Sequence, residues 1–393
     1  MNINGQAKQD MTYDAIVVGS GMSGGWSAKE LTERGLKTLV LERGRNVEHV
    51  KDYPTMNLDP WELPPNDDIP YEEKKNYKKQ QLVYNFGEST KHWWVKDVDQ
   101  PYEEKERFDW IRGYHVGGRS IMWGRVTLRL SQMDFEANLK DGHGVDWPIR
   151  YNDIAPWYSY VEKFAGISGQ AEGLPQLPDS EFLPPMELSC VEKELKKTMK
   201  EKFGRVLTNI RLANLTKPHN GRGQCMTRNL CARGCPYGAY FSSNAATLPA
   251  AAATGNLTMR PHSIVHSLEY DDSTGKVSGV NVIDELTGDM LTFHSKIVFL
   301  NASTVGTAMI LMNSTSDRFP NGLGNDSDQV GRNVMDHHFL VGADGVVEGY
   351  EDQYYWGRRP GGYYVPRFRN VGADKRDYVR GFGYQGNSSR QGW

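Results

Sequence analysis

Two short apolar runs frame the start of the chain: residues 14–18 (D-A-I-V-V) and 37–41 (K-T-L-V-L). Both are too short for helices, lack strict alternation and carry β-branched residues, a pattern that predicts strands buried on both faces. Between them, residues 22–34 can place Trp26, Leu31 and several small residues on one helical face. Gly35 suits the left-handed position that ends such a helix. Strand, helix and strand make a βαβ unit, whose crossover is right-handed.

The pattern then breaks. Residues 46–108 carry many charges, several prolines and the block His92-Trp93-Trp94, with few periodic stretches. This reads as an insertion lying over the first domain rather than a separate core. Residues 111–130 return to a glycine-rich loop and an apolar segment, and 153–164 read as a helix bearing Trp157, Tyr158 and Tyr160. Residues 171–189 are proline-rich and loop-like. Strand signals resume at 257–261, 264–270 and 277–283, with Asp271, Asp272 and Gly275 marking a hairpin. Residues 296–300 (K-I-V-F-L) read as another buried parallel strand, followed by a helical T-A-M-I-L-M. The stretch 339–385 is rich in Gly, Tyr, Phe and Val with fragments of period two, and predicts antiparallel sheet. The expected class is α/β.

The turn after the first strand carries the chemistry. Gly19-Ser20-Gly21-Met22-Ser23-Gly24 is G-x-G-x-x-G, following a strand and opening a helix, with Glu42 at the end of the next strand. In a dinucleotide-binding unit each part has its own task. The first glycine permits the tight turn, the second lets backbone approach a pyrophosphate, and the third lets helix pack on strand. The helix N-terminus offers free N–H groups to phosphate. A carboxylate at 42 accepts hydrogen bonds from ribose hydroxyls and disfavours a 2′-phosphate. FAD and NAD share this fingerprint, and the motif does not separate them.

Composition narrows the classes. A net charge of −3 over 393 residues gives no basic field for nucleic acid or anionic lipid. No apolar run is long enough for a transmembrane helix, and the first residues lack the charge and apolar pattern of a secretory signal. Six N-x-[ST] sites occur, but Asn301 follows a buried strand, so they are read as chance and the expected location is cytoplasmic, with periplasmic export alongside a partner as the alternative.

Three of the four cysteines fall close together as Cys225-x5-Cys231-x3-Cys235-Pro236. A disulfide would leave one of them over unless Cys190 took it, and zinc would need a fourth ligand such as Cys190 or His219. Three thiolates suit a [3Fe–4S] cluster, and Cys followed by Pro is familiar at iron–sulfur sites. Plain buried thiols are the remaining reading. Arg222, Arg228 and Arg233 would offset thiolate charge.

The blocks V-V-G-S-G-M-S-G-G, R-G-Y-H-V-G-G-R-S-I-M-W-G-R and G-L-G-N-D-S-D-Q-V-G-R-N-V-M-D-H (322–337), in that order, resemble the glucose–methanol–choline (GMC) oxidoreductases. The resemblance runs from about residue 13 to 393. Within the family the cysteine cluster is similar to that of the gluconate, fructose and FAD-glucose dehydrogenase large subunits. It implies a Rossmann-like FAD-binding domain of GMC type, 1–150 and 220–337 with the insertion 46–108. It also implies an antiparallel-sheet substrate domain, 151–219 and 338–393, incomplete at its C-terminal end.

The resemblance implies FAD, held by Gly19, Ser20, Gly21, Met22, Ser23, Gly24, Glu42 and Arg43. Gly117, Gly118 and Ser120 would lie along the flavin and pyrophosphate. Ser263, Ile264 and Val265 would serve the adenine end, and Asn301, Ala302 and Ser303 would follow a strand back to the cofactor. Asn333, Met335 and Asp336 would close the domain near the flavin. Relatives that bond FAD through a His in a T-H-W context differ from this chain, which reads I-M-W with Met122 before Trp123, so non-covalent FAD is expected. His92, before two tryptophans, lies outside that context. The family's catalytic His lies near the end of longer chains, so the base is expected beyond Trp393. His337-His338 match a non-catalytic family segment and are read as packing residues.

The activity implied is a dehydrogenase acting on CH–OH groups of a sugar, polyol or sugar acid. Hydride passes to flavin and electrons leave through the cluster of Cys225, Cys231 and Cys235 to an acceptor subunit or cytochrome. The alternatives are an oxygen-using, pyranose oxidase-like flavoenzyme and an inactive flavin-binding fragment.

Overall fold

A computed structural model describes residue 7 and residues 12–336, 341–353 and 357–390. The backbone divides into two units. Unit 1 holds Met1–Trp123, Ala232–Pro236 and Ser242–Leu340; unit 2 holds Gly124–Cys231, Tyr237–Phe241 and Val341–Trp393. The first crossing thus falls at Trp123/Gly124, earlier than the boundary at 150 expected from sequence, and the return falls at 232–242 rather than 220. Residues 124–150 contain only two helical turns, Gln132–Phe135 and Ala137–Asp141, and no strand of the unit 1 sheet, so they carry no hydrophobic period that would mark a boundary.

Unit 1 is built on β1 (Tyr13–Val18), α1 (Met22–Glu33), β2 (Thr38–Leu41), α2 (Thr247–Ala253), β3 (Leu257–Arg260), β4 (Ser263–Asp271), β5 (Lys276–Asp284), β6 (Met290–Leu300) and α3 (Thr304–Asn313). One six-stranded sheet runs in the order β3-β2-β1-β6-β5-β4. β1 pairs in parallel with β2, Ala15 opposite Thr38 through Val18 opposite Leu41. β2 pairs in parallel with β3. α1 ends with two bonds of a left-handed cap, Gly35 N–H to Thr32 O (2.9 Å) and Leu36 N–H to Leu31 O (3.1 Å), with Gly35 at φ +82°.

β6 is longer than the apolar run 296–300 suggests. Met290–Ile283 through His294–Gly279 make an antiparallel ladder with β5, and Ser295–Leu300 then run parallel to β1. The polar alternation of Thr292, His294 and Lys296 hides the first half, because that half is covered on only one face.

Alternate residues of the central strands serve two cores. Ile16, Val18, Leu39 and Leu41 pack with Val280, Val282 and Phe293 of the antiparallel strands. Val17 and Val40 pack on the other face with Ala28, Leu248, Ala251 and Met259. The buried face of α1 is Gly24, Gly25, Ala28, Lys29 and Thr32, while Trp26 and Leu31 are only half-buried. Of the face expected from sequence, the small residues are the buried part, and the reason is close packing. A Cβ on Gly25 would stand 2.4 Å from Thr247 Oγ1 and 2.7 Å from Ser243 Oγ, so α1 and the start of α2 approach closer than large side chains allow.

The insertion 46–108 consists of short helical turns within unit 1. It builds an apolar cluster of its own, in which Val47, Tyr53, Tyr77, Trp93 and Trp94 meet Ile121 and Met122.

In unit 2, helices Tyr151–Ala165 and Cys190–Phe203 flank loop-rich chain. The buried Arg129 guanidinium donates to Glu162 (Nε–Oε1 2.9 Å), Tyr151 and Ser159, tying the first helix to the segment before it. Among the described residues, the sheet expected over 339–385 is limited to Tyr363–Val365 and Tyr384–Gly386, joined by Thr208–Asn209 in one three-stranded antiparallel sheet. Gly342, Gly345 and Gly349 interrupt the described part of 341–353, where no strand forms.

Phe293 is fully buried in the cluster with Ile16, Leu39 and Val280. Phe293→Ala is expected to lower unfolding free energy by about 3–5 kcal/mol, whereas Met309→Ala, at a half-exposed position of α3, changes it by less than about 0.5 kcal/mol. Urea denaturation of the two variants, read by circular dichroism, checks the difference.

Candidate cofactor site

The Gly19–Gly24 turn connects β1 to α1 at the centre of the parallel sheet, where the backbone has almost no room. Gly19 sits at φ +90° and donates to Leu41 O (2.8 Å). A Cβ on it would lie 2.5 Å from Asn301 O, and one on Gly24 would lie 1.9 Å from Gly19 O. Gly21 is the opposite case: a Cβ there meets nothing within 4 Å. Two of the three glycines are therefore required by packing, and the third faces open space beside the first turn of α1. That turn has no side-chain cap, so its N–H groups and positive dipole end are left to an anion.

Glu42 is buried at the end of β2. Its Oε2 accepts from Ser20 N–H (3.0 Å) and Ser20 Oγ–H (2.5 Å), and its Oε1 accepts from Gly44 N–H (3.1 Å). Burial pushes the carboxyl above the usual carboxylate range, and these donors oppose the shift without cancelling it.

The second glycine loop meets the first. Gly117 and Gly118 have φ of +87° and +48°, and a Cβ on Gly118 would stand 3.3 Å from Gly21 Cα. Gly117 N–H donates to Ser20 Oγ (2.9 Å), while Ser120 Oγ–H donates to Gly117 O (2.5 Å). Ser243 closes a ring: its N–H donates to Ser120 Oγ (2.9 Å) and its hydroxyl to Gly21 O (2.8 Å). Asn244 Nδ2 bridges Val47 O (2.8 Å) and Val116 O (3.1 Å). Its buried Oδ1 has no partner and lies where a Cβ on Gly117 would be, at 1.6 Å.

The sequence reading did not find Ser243 and Asn244. They stand in S-S-N-A-A ahead of α2, with no period or spacing to mark them; the only signal is small polar residues preceding an alanine-rich helix.

The other expected residues are placed as follows. Met22 and Ser23 begin α1. Arg43 is turned to Gln100 (2.6 Å) and stacks on Tyr114. Val265 lies in the buried cluster with Val280 and Phe293, paired with Val282, and it is Ser263 N–H that reaches Glu42 O (2.8 Å). Asn301 N–H bonds Val18 O (2.8 Å), and Ala302 beside it is half-buried. Asn333 is exposed, with its amide on Gln329 (3.3 Å). Met122 is buried in the apolar cluster with Trp93. His337 and His338 lie outside the described residues.

His92 and His115 flank the Trp93 ring, at centroid distances of 4.2 and 5.3 Å. Burial pushes both down to about 4, so both are neutral at ordinary pH. Trp93 Nε1–H donates to Ala232 O (3.0 Å), tying this cluster to the segment between Cys231 and Cys235.

Cys225, Cys231 and Cys235 are half-buried. Cys225 and Cys231 belong to unit 2 and Cys235 to unit 1. Among the described residues no group of three or more His, Cys, Asp or Glu is gathered to hold a metal ion. The iron–sulfur expectation thus rests on the sequence alone.

The sequence profile of GMC oxidoreductases matches residues 13–339. The chain belongs to the GMC oxidoreductase family. Similar proteins include a 2-methyl-1,2-propanediol dehydrogenase of Mycolicibacterium austroafricanum, 27% identical over 95% of this chain and 63% of that protein. The fructose dehydrogenase large subunit of Gluconobacter japonicus is 25% identical over 84% of this chain and 59% of its own length. The gluconate 2-dehydrogenase flavoprotein of Pantoea cypripedii is 26% identical over 69% and 47%. The chain thus spans about half to three-fifths of the length of these relatives. The family is one of FAD-dependent oxidoreductases, and the fit of FAD to these residues is physical: open space over Gly21, an uncapped helix start, a buried carboxylate beside them and an orphaned amide oxygen under the second loop.

Gly21→Val is expected to leave the stability of the FAD-free protein within about 0.5 kcal/mol of FAD-free wild type, since its Cβ meets open space, while abolishing flavin retention. Gly24→Ala, clashing with Gly19 O, is expected to lose about 1–3 kcal/mol of stability. Thermal melts with flavin quantification separate the two outcomes.

Proposed function

We propose that this chain is the FAD-binding part of a dehydrogenase that oxidises a CH–OH group of a sugar, polyol or sugar acid, with electrons leaving to an external acceptor. The observation that carries the cofactor assignment is the cradle made by the Gly19–Gly24 turn, the Gly117–Gly118 loop and Glu42. The substrate class is supported by the relatives named as propanediol, fructose and gluconate dehydrogenases.

When bound, FAD supplies hydride acceptance at its ring. The chain's own residues do the rest of what the cradle supports. The first turn of α1 offers N–H groups and dipole to the pyrophosphate. Glu42, which holds Ser20 and Gly44, would in its charged form accept from ribose hydroxyls. Gly117 and Gly118 bring backbone close to the cofactor, because any side chain at 117 would strike Asn244. Ser120 and Ser243 fix that loop against the first.

Two finer parts belong to the same proposal. The spacing of Cys225, Cys231 and Cys235 supports a [3Fe–4S] cluster. Relatives named as large subunit and flavoprotein support an electron-accepting partner subunit. A second reading, an oxygen-using oxidase, is favoured by a relative named 6'''-hydroxyparomomycin C oxidase of Streptomyces lividus, 27% identical over 83% of this chain and 54% of that protein.

The purified protein is expected to show flavin bands in its visible spectrum, and Glu42→Ala to weaken FAD binding by about 1–3 kcal/mol, the cost of losing hydrogen bonds to a charged group. Iron and acid-labile sulfide are expected to co-purify anaerobically and to be lost on Cys231→Ser while flavin remains. A colourless protein that takes up no FAD overturns the cofactor reading; zinc, or no metal, overturns the cluster alone.

A further inference from the structure

Ser20 Oγ carries one proton and stands between two partners. It accepts from Gly117 N–H (2.9 Å), so its own proton goes to Glu42 Oε2 (2.5 Å). The direction of the chain is fixed: Gly117 N–H to Ser20 Oγ–H to Glu42 carboxylate. Oε2 also receives Ser20 N–H, and Oε1 receives Gly44 N–H. A proton on Oε2 would meet the Ser20 hydroxyl proton head-on, and a proton on Oε1 would compete with Gly44 N–H. Either way the carboxyl can no longer serve all its donors, and with the proton on Oε2 it is the Ser20 hydroxyl, the acceptor of Gly117 N–H, that must turn.

We infer that Ser20 is a positioning residue that transmits the ionisation of Glu42 to the Gly117–Gly118 loop, so that both loops hold FAD only while Glu42 is charged. This rests on the FAD reading above. The described charged side chains nearby are engaged elsewhere, Arg119 of the second loop with Asp336. Arg43 is turned to Gln100, and Arg260, across the sheet on β3, is held by Asp284 and Ser263 (both 2.5 Å). Arg45 lies over Trp93, and the buried His115 beside Gly117 is neutral at ordinary pH.

The sign of the pH effect follows. Burial raises the FAD-free Glu42, and ribose hydroxyls donating to it favour the charged form, so the cofactor lowers it again. Affinity is therefore full above the FAD-free value and falls as pH drops through it, by at most about tenfold per pH unit for one proton. Removing the Ser20 hydroxyl removes a donor to the carboxylate and moves the onset of this fall to higher pH. Removing the Ser120 hydroxyl frees Gly117 from its other side without touching Glu42.

The test is FAD retention against pH, read by flavin fluorescence after ultrafiltration, with circular dichroism confirming the fold at each pH. Wild type is expected to lose FAD on acidification before it unfolds. Ser20→Ala loses it from a higher pH, Ser120→Ala binds more weakly at every pH with the wild-type onset, and Glu42→Gln binds weakly with no pH dependence in that range. A Ser20→Ala onset coinciding with wild type, or a Ser120→Ala onset shifted as far, overturns the inference. Should Ser20→Ala not fold, an acid onset persisting in Glu42→Gln overturns it equally. If wild type takes up no FAD at neutral pH, the cofactor reading fails. The coupling is then judged on FAD-free protein by the protection of the Gly117 amide, its exchange rate relative to the intrinsic rate at the same pH, which is expected to fall on acidification in wild type but not in Glu42→Gln; equal behaviour overturns it.

Discussion

The buried carboxylate of Glu42 is the constraint on which the arrangement of unit 1 turns. A charged group removed from water is costly unless donors converge on it, and here three donors from two loops do so. Two of them belong to Ser20, the second residue of the turn between β1 and α1. Satisfying Glu42 therefore fixes that turn, and through the Ser20 hydroxyl it also fixes Gly117, 97 positions further along the chain. The ring then runs through Ser120 and Ser243 back to Gly21. Four segments far apart in sequence are held in one place by backbone groups and three serines, with no large side chain involved.

Small residues are what make such a ring geometrically possible. The turn at Gly19 passes under Asn301 O, Gly24 sits against Gly19 O, and Gly25 faces Ser243 and Thr247 across the contact of α1 with α2. Any Cβ in these places forces segments apart by more than a hydrogen bond tolerates. The glycines are a packing requirement first, and the open space at Gly21 is what remains once that requirement is met.

This explains why so much of unit 1 was legible in the sequence. The strands at 14–18 and 37–41, the helix between them and the Gly35 cap carry local signals, because a strand buried on both faces must be apolar throughout and a helix end needs φ above zero. G-x-G-x-x-G and Glu42 were legible for the same reason: each residue type answers a local steric or charge demand. The arms of the ring were not. Ser243 and Asn244 matter through partners more than 120 residues away, and a hydroxyl that bridges distant loops has no periodicity. The first half of β6 was missed because it is covered on one face only. The stretch 339–385 was over-read as sheet because aromatic and glycine content imitates strand composition without supplying a ladder.

The insertion shows the same limit from the other direction. Its charges and prolines suggested a cover without a core, yet Tyr53, Trp93 and Trp94 bury themselves with Ile121 and Met122, just after the second glycine loop. That loop is thus braced twice, by hydrogen bonds to the βαβ turn and by apolar packing to the insertion. The two braces differ in kind. Apolar burial is insensitive to pH and fixes where the segment lies, while the serine chain is directional and depends on a buried carboxylate. A loop fixed by packing alone would be rigid but deaf to Glu42; one fixed by hydrogen bonds alone would rest on a few bonds of modest net strength. Together they leave the position of Gly117 secure and its precise pose answerable to one buried charge.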